Sequence, residues 1–534
     1  RIFTKADLTD DVIEMLRTEV LRRVPEALKD ESGPWKLIAW LDQIQPSISL
    51  NDQIFPSYTL KLLAEEIHHQ LPASPNELDI KTALLSVARS ALQAEADHHL
   101  QAFSVYLDQA LDRMETQINE RRDLIETFFE GLELNEDEER KPAELLTELS
   151  SAARLPLKLT GEQQKMLRED PKSLEVVARD QVVSNIRAQT IERLLGTIEM
   201  RIGEPLVIST ADLDPEYWGA LSRELLEATR TTFQKRIERL VSEGGQIAKD
   251  LDSLLARLPR PYSDHEIYWL LLQMPQGSKT TFDRRTHRRT FQRTNRLNYT
   301  YYTAQLLEDV RPDQIADEVL EHLEEAQQLL SLSWGQAEFN RLTNATLADF
   351  QEPVRQELAE LMEVPQDSPV FNLTLGSLDA DQRQIITEIF GRRVISNIYR
   401  SLLLGVITEL WVDYLTQMEA LRVSIGLEAY AQRDPLVQYK GQASELFRTL
   451  QSSIRMGVIS RMFTYRPRDL TRIQTETSQL EQLEPELETE ISSSDNHAES
   501  QAQPRLAPAG KSELEPQEQR RTDSSNKKRR RRRR

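Results

Sequence analysis

The stretch Leu410–Phe447, LWVDYLTQMEALRVSIGLEAYAQRDPLVQYKGQASELF, reads as a helix, a short connection and a second helix. Gly426 stands where a helix-ending glycine belongs, just past the last apolar residue of the first helix. Asp434-Pro435 supplies the opposite signal, a capping carboxylate followed by proline in the first turn. The second helix carries Val437, Leu446, Leu450, Ile454, Val458 and Ile459, a stripe that can pack back along the first. The spacing therefore predicts an antiparallel helical hairpin whose connection, LEAYAQRD, presents Tyr430 near its apex. A solvated bend normally carries Gly, Asn, Asp or Ser, so an aromatic ring there calls for a reason.

Upstream, Asp379 and Gln382 stand in capping-box order before a long apolar series. Ile386, Ile389, Val394, Ile398, Leu402, Val406, Leu410, Tyr414, Met418, Leu421 and Ile425 recur at spacings of three and four, apart from one step of five between Ile389 and Val394. No proline interrupts them, and only Gly391 and Gly405 weaken the pattern. About 45 residues of helix make a rod of roughly 65 Å, far longer than a typical globular helix.

The rest of the 534-residue chain agrees with a helical architecture. Gly and Pro are few, at 17 and 24, while Leu, Glu, Gln, Arg and Ala abound. The absence of cysteine excludes disulfides, thiolate metal sites and cysteine nucleophiles. No run of about 18 apolar residues offers a membrane span. Net charge is −20, yet the last eight residues, KKRRRRRR, supply +8 and leave −28 for the remainder. An acidic body argues against general nucleic-acid binding and makes that basic end a separate electrostatic device.

Five regions follow from the pattern: 1–95, helical; 96–260, helical and of unplaced role; 261–310, a basic and aromatic insertion; 311–470, the long helix with its hairpin; and 471–534, a tail rich in Glu, Gln, Ser and Pro that reads as disordered. Within them, DDVIEMLRTEVLRRVPEAL and WKLIAWLDQI read as the first two helices, and 80–130, 175–202 and 213–260 as further helical runs. Thr, aromatic and Arg residues crowd 261–303, the place for a short β-hairpin near 275–303. The expected class is all-α.

At Leu410–Phe447 the residues resemble the C-terminal scaffold of SecA, the ATP-driven motor of bacterial preprotein export. Trp411, Met418 with Leu421-Arg422, Ile425-Gly426, Tyr430-Ala431-Gln432-Arg433-Asp434-Pro435 and Tyr439-Lys440 stand in that family's order. The dense match spans some 40 residues and extends loosely to about 463. Residues 5–60, with PWKLIAWLDQI, look distantly like the family's helical wing, whereas about 100–375 have no counterpart. Tyr414 replaces a usual histidine, Ala429 replaces the glycine before the tip tyrosine, and a zinc-binding cysteine tail is missing.

The resemblance implies a fold of long scaffold helix, antiparallel two-helix finger and wing-like bundles. It implies that Tyr430, Ala431, Gln432 and Arg433 form a fingertip touching an unfolded preprotein at the mouth of a SecY-type channel. An amphipathic ring can touch any passing side chain without demanding a sequence. Trp411, Met418, Leu421, Arg422, Gly426, Asp434, Pro435 and Tyr439 would then build the finger. ATP and magnesium would belong to motor domains upstream of Arg1, since the chain shows neither a phosphate-cradling Gly-x-x-x-x-Gly-Lys-Thr loop nor an acidic strand end. MPQGSKTT at 274–281 lacks the first glycine and the adjacent Gly-Lys, so no catalytic residue and no cofactor is expected on this chain.

Two further motifs invite other readings. Glu65 with His68 and Glu95 with His98 form Glu-x-x-His steps like those of di-iron bundles, though their polar flanks suit solvated helix faces, and no metal site is expected. Lys279, Arg284, Arg285, Arg288, Arg289, Arg293 and Arg296, interleaved with Phe282, Phe291 and Tyr299, form a basic patch. It suits a solvated insertion paired with the acidic body, an anionic membrane surface, or single-stranded nucleic acid. Arg529 and Arg530 in the terminal cluster pose the same choice. The expected function is a non-catalytic wing and scaffold component of a preprotein translocase, with a stand-alone helical adaptor as the alternative. A bacterial cytoplasmic location, peripheral on the inner face of the cell membrane, follows from the resemblance. Nucleic acid is an unfavoured partner, and homodimerisation is left open.

Overall fold

In the computed structural model the described residues are 7–29, 33–50, 53–134, 141–208, 217–283, 288–350, 352–425 and 434–465. They lie in a folded unit that ends at Arg466; the unit from Pro467 to Arg534, and with it the tail expected from 471, lies outside the described residues. The described chain is mainly helical, as expected, with two small antiparallel strand pairs.

Two rods organise it. The first, α4 (Glu77–Leu134), follows α1 (Thr9–Lys29), α2 (Gly33–Ile44) and α3 (Tyr58–Gln70). Its 58 residues reach about 87 Å at the helical rise. Different stretches of it enter three cores. Ile80, Leu84, Val87 and Leu92 pack with α3, α9 (Gln246–Leu255) and α10 (Asp264–Gln273). Phe103 and Leu107 meet the end of α7 (Pro171–Ile202) and α8 (Trp218–Val241). Ile125 and Phe129 meet α5 (Pro142–Ala153), α6 (Gly161–Glu169) and the start of α7. The boundary read between 95 and 96 thus falls inside one continuous helix. The run read over 213–260 is two helices, parted where Gly245 lies too close to the Leu240 carbonyl for any side chain.

The second rod is α14 (Ala380–Ser424), 45 residues long and opened by the Asp379–Gln382 capping box that the sequence announced. It packs along α12 (Pro312–Arg341), the most extensive helix pair in the molecule, after α11 (Thr300–Leu306) and before α13 (Glu352–Leu361). Glycines set their closeness. A Cβ on Gly335 would meet the Thr387 carbonyl oxygen at 2.0 Å, and one on Gly391 would meet that of Ser331 at 2.4 Å. Gly391 therefore permits backbone to touch backbone. Gly405, with nothing within 4 Å, has no such duty.

The hairpin expected near 275–303 is present as β3 (Gln276–Asp283) and β4 (Arg288–Asn295), paired from Gln276↔Asn295 to Asp283↔Arg288. A second, smaller hairpin was not foreseen: β1 (Ile48–Leu50) pairs with β2 (Gln53–Phe55). Its signal was the Asn51-Asp52 dipeptide between two short apolar runs. This hairpin closes a buried polar network between α2, α3 and α12. Gln45 donates to the carbonyls of Pro46 (3.1 Å) and Pro56 (3.3 Å), and its Oε1 meets His322 Nε2 at 3.1 Å. His322 stacks on Phe55 at 4.9 Å and leans on Tyr58 at 5.7 Å. Asp42 Oδ2 accepts from Thr59 Oγ1 at 2.8 Å, while its buried Oδ1 has no partner.

Two measurements test this packing. Gly391→Val should destabilise the protein by about 1–3 kcal/mol in denaturant unfolding, because the ring of backbone around it cannot yield; Gly405→Ala should stabilise it by up to about 1 kcal/mol. Burial, with Lys61 nearby, pushes His322 down to about 4, and burial pushes Asp42 up to about 6. Unfolded His322 binds a proton that the folded state refuses between about 6.5 and 4, so its contribution is lost as pH falls through that window. Asp42 acts in the opposite sense, since the folded state keeps a proton between about 6 and 3.8 that the unfolded chain releases. His322→Gln should therefore flatten the acid loss by on the order of 3 kcal/mol, and Asp42→Asn should steepen it, as read from denaturation midpoints across pH 4–7.

Candidate functional site

The second rod continues into α15 (Pro435–Ile459), and the two helices run back along each other as predicted. Three contacts fix the antiparallel register. A Cβ on Gly457 would stand 2.7 Å from Val406 Cγ1, so the helices approach most closely there. Arg461 and Glu409 face each other at 3.7 Å, and the Tyr414 and Phe447 rings meet edge to face at 6.3 Å. Asp434 caps α15 by accepting from the Leu436 amide at 2.9 Å, with Pro435 in the first turn. At the base, Arg23 of α1 donates to Met456 Sδ at 3.4 Å and ties the hairpin to the body.

Beyond Val406 the body stops covering α14, and Leu421 is the one buried residue in the rest of that helix. Trp411 (44% exposed), Val412, Leu415 and Val423 lie open on α14, as do Leu436 and Val437 on α15. Trp411 rests against Tyr414 with ring centres 5.3 Å apart, so the aromatic at the histidine position of the resembling family joins Trp411 to Phe447. Met418 and Tyr439 are half-buried between the helices' exposed flanks, and Arg422 pairs with Glu419 at 2.6 Å. Gly426, Tyr430, Ala431, Gln432 and Arg433 lie outside the described residues, so the tip itself is not placed. Sequence reasoning missed Gly457, Phe447 and the Glu409–Arg461 pair; a glycine inside an otherwise strong helix was the available signal for the first.

Of the basic patch, Arg284 and Arg285 lie outside the described residues, as do the Arg288 side chain and, in the tail, Arg529 and Arg530. Arg289 and Arg293 are exposed on β4. The two Glu-x-x-His steps do not converge. His68 faces Asp264 at 3.0 Å. His98 stacks on Tyr301 at 4.2 Å beside Trp35, and Glu95 pairs with Arg236 at 3.3 Å. Burial raises Glu95, against the pull of Arg236, and lowers His98; burial, with His98, Arg201 and Arg236 adding to it, pushes neighbouring His99 down to about 4. These are packed aromatic and ion-pair positions. Among the described residues, no group of three or more His, Asp or Glu side chains forms a metal site, and no helix is long and apolar enough to cross a membrane.

The hairpin's rigidity rests on a few contacts, which gives a direct test. Phe447→Ala should raise amide hydrogen exchange at 411–425 at least severalfold, by analogy with the loss of a large interhelical side chain, while 386–406 stays protected.

Residues 286–466 match the SecA wing and scaffold domain. Protein translocase subunit SecA of Synechococcus elongatus is 44% identical over 77 residues, 14% of this chain and 8% of the relative. That of Trichormus variabilis is 41% identical over 76 residues, again 14% and 8%. A SecA of a Synechococcus strain, JA-2-3B'a(2-13), aligns over 133 residues at 29% identity, 24% of this chain and 14% of its own. The chain thus spans less than a tenth of the length of the first two relatives, and no solved structure matches it. With its capped long helix and its antiparallel helical hairpin, the part from 286 to 466 is similar to the SecA wing and scaffold domain.

Proposed function

We propose that this chain acts as a non-catalytic component of a SecA-like protein translocation apparatus, holding a two-helix finger against an unfolded preprotein at a SecY-type channel. The observation that supports this reading is the antiparallel pairing of α14 with α15 in one register, the two helices between which the fingertip sequence falls. Two packed helices resist bending far better than a loop does, so a push delivered at the base would reach the tip. Tyr430, Ala431, Gln432 and Arg433 are the residues proposed to touch the polypeptide. Tyr430 offers a ring face and a hydroxyl, enough to grip varied side chains without selecting among them.

In this reading ATP and magnesium act on motor domains that are not part of residues 1–534, and the chain contributes mechanics. Its place is the bacterial cytoplasm, peripheral on the inner face of the cell membrane, where Arg529, Arg530 and their neighbours meet anionic headgroups. The alternative is an adaptor that binds partners through the same finger without moving anything.

A photoreactive side chain at position 430, in the chain reconstituted with a SecA motor, a SecY-type channel and a stalled secretory substrate, distinguishes the two. The translocation reading expects a substrate adduct that depends on the channel and on ATP. An adduct formed equally without either favours the adaptor. Label confined to this chain's own body sinks both.

A further inference from the structure

The basic insertion divides into arginines the fold uses and arginines it leaves open. Arg296, just after β4, pairs with Asp250 at 2.6 Å and donates from Nε to the Met274 carbonyl at 2.9 Å. Arg236 in turn donates to the Arg296 carbonyl at 3.1 Å, so this corner roots the hairpin in α8 and α9. Arg289 and Arg293 are different. Both are exposed, and among the described residues no acidic side chain pairs with either.

Strand alternation puts Arg289, Phe291, Arg293 and Asn295 on one face of β4, successive members about 7 Å apart. Phe291, midway between the two guanidinium groups, is 80% exposed, an unusual cost for a ring that only packs. At the foot of the hairpin lies a cleft of about 660 Å³ that Arg293 and Asn295 of this face help to line, with Thr294 of the other face beside them. Ser47, Thr59 and Asn298 line it from the body, and the Asp42 carboxylate, itself hydrogen-bonded to Thr59, lies at its wall.

We propose that this face and the cleft below it bind a short segment of single-stranded nucleic acid, with phosphates at Arg289 and Arg293 and one base stacked on Phe291. Cation, ring and cation at this spacing match the alternation of phosphate and base along an extended strand. The amides and hydroxyls of the cleft suit base edges and sugars. A bilayer is flat and does not enter a cleft, and an acidic polypeptide offers a flat ring only where it carries an aromatic residue, whereas every nucleotide carries one. The chain's net charge of −20 confines such binding to this local face and keeps the footprint short. The proposal stands independently of the translocation reading.

The probe is a twelve-nucleotide uridine RNA carrying one 4-thiouridine, photocrosslinked to the full chain and mapped by mass spectrometry. Crosslinks are expected at 289–295. Arg289→Glu with Arg293→Glu should cut their yield about tenfold or more, and the part of the binding lost in this variant should fall with salt at a log–log slope of about 1–2, as two phosphate contacts require. Phe291→Ala should abolish the crosslink nearest the ring while leaving most of the phosphate contribution. Because all three positions are exposed, circular dichroism should be unchanged; a variant that loses helicity is set aside in favour of Phe291→Ala alone. Crosslinks found only in the arginine-rich terminus overturn the proposal. So does flotation with anionic vesicles that depends on Arg289 and Arg293 while RNA crosslinking does not, or capture of an acidic peptide at β4 in preference to RNA.

Discussion

The crossing of α12 and α14 at Gly335 and Gly391 is the contact on which the arrangement of this protein depends. Each glycine sits against a carbonyl of the other helix, so the two backbones meet with no side chain between them. Such a crossing is stiff, because the nearest atoms on either side are backbone carbonyls, with the Ser331 hydroxyl the one side-chain atom close beside them. It fixes the direction of α14, which carries the hairpin some 20 residues further along. The N-terminal segment reinforces the same joint: the Leu8 amide donates to Ser396 Oγ at 2.9 Å, buried against α14.

From that joint the molecule extends in two ways. On one side, α12 enters the polar network around His322 and Gln45, which welds α2, α3 and the small β1–β2 hairpin into a single corner. On the other, α14 beyond Val406 is largely exposed and packs against α15, with Leu421 its one buried residue there. The first arrangement is dense and titratable; the second is lean, with apolar side chains open to solvent. The wing and scaffold match falls on the segment that contains both arrangements, the held base and the open arm.

The arginines illustrate how one charged cluster serves different ends. Glu95, Arg236 and Arg296 are nearly buried and, with the exposed Asp250 at one end, form a chain of ion pairs and carbonyl contacts where each charge has a partner and losing one would strand the others. Among the described residues Arg289 and Arg293 have none, and they project from a strand whose alternation lines them up with Phe291. The same residue type is structural at the foot of the hairpin and available above it, according to whether an acidic partner lies within reach.

Much of this was legible in the sequence. The capping box at Asp379, the three-four spacing through Ile425, and the Asp434-Pro435 start are local signals, and the two helices begin and end where they indicate. Period and caps act over one turn, so residues near one another in the chain suffice to read them. The similarity to the SecA scaffold was legible too, because the residues that carry it are dense and ordered over a short window. What the sequence could not reveal is what distant residues do to one another. Gly391 looked like a weak point in a helix and proved to be the seat of the α12 crossing; Glu95 and His98 read as part of a solvated helix face and proved to be held by Arg236 and Tyr301. The division of the arginines likewise needed Asp250, on another helix, to be placed. Local propensity determined the rods and the hairpins; only the tertiary structure decided which glycines touch, which charges are paired and which ring is left uncovered, since those depend on contacts between residues far apart in the chain.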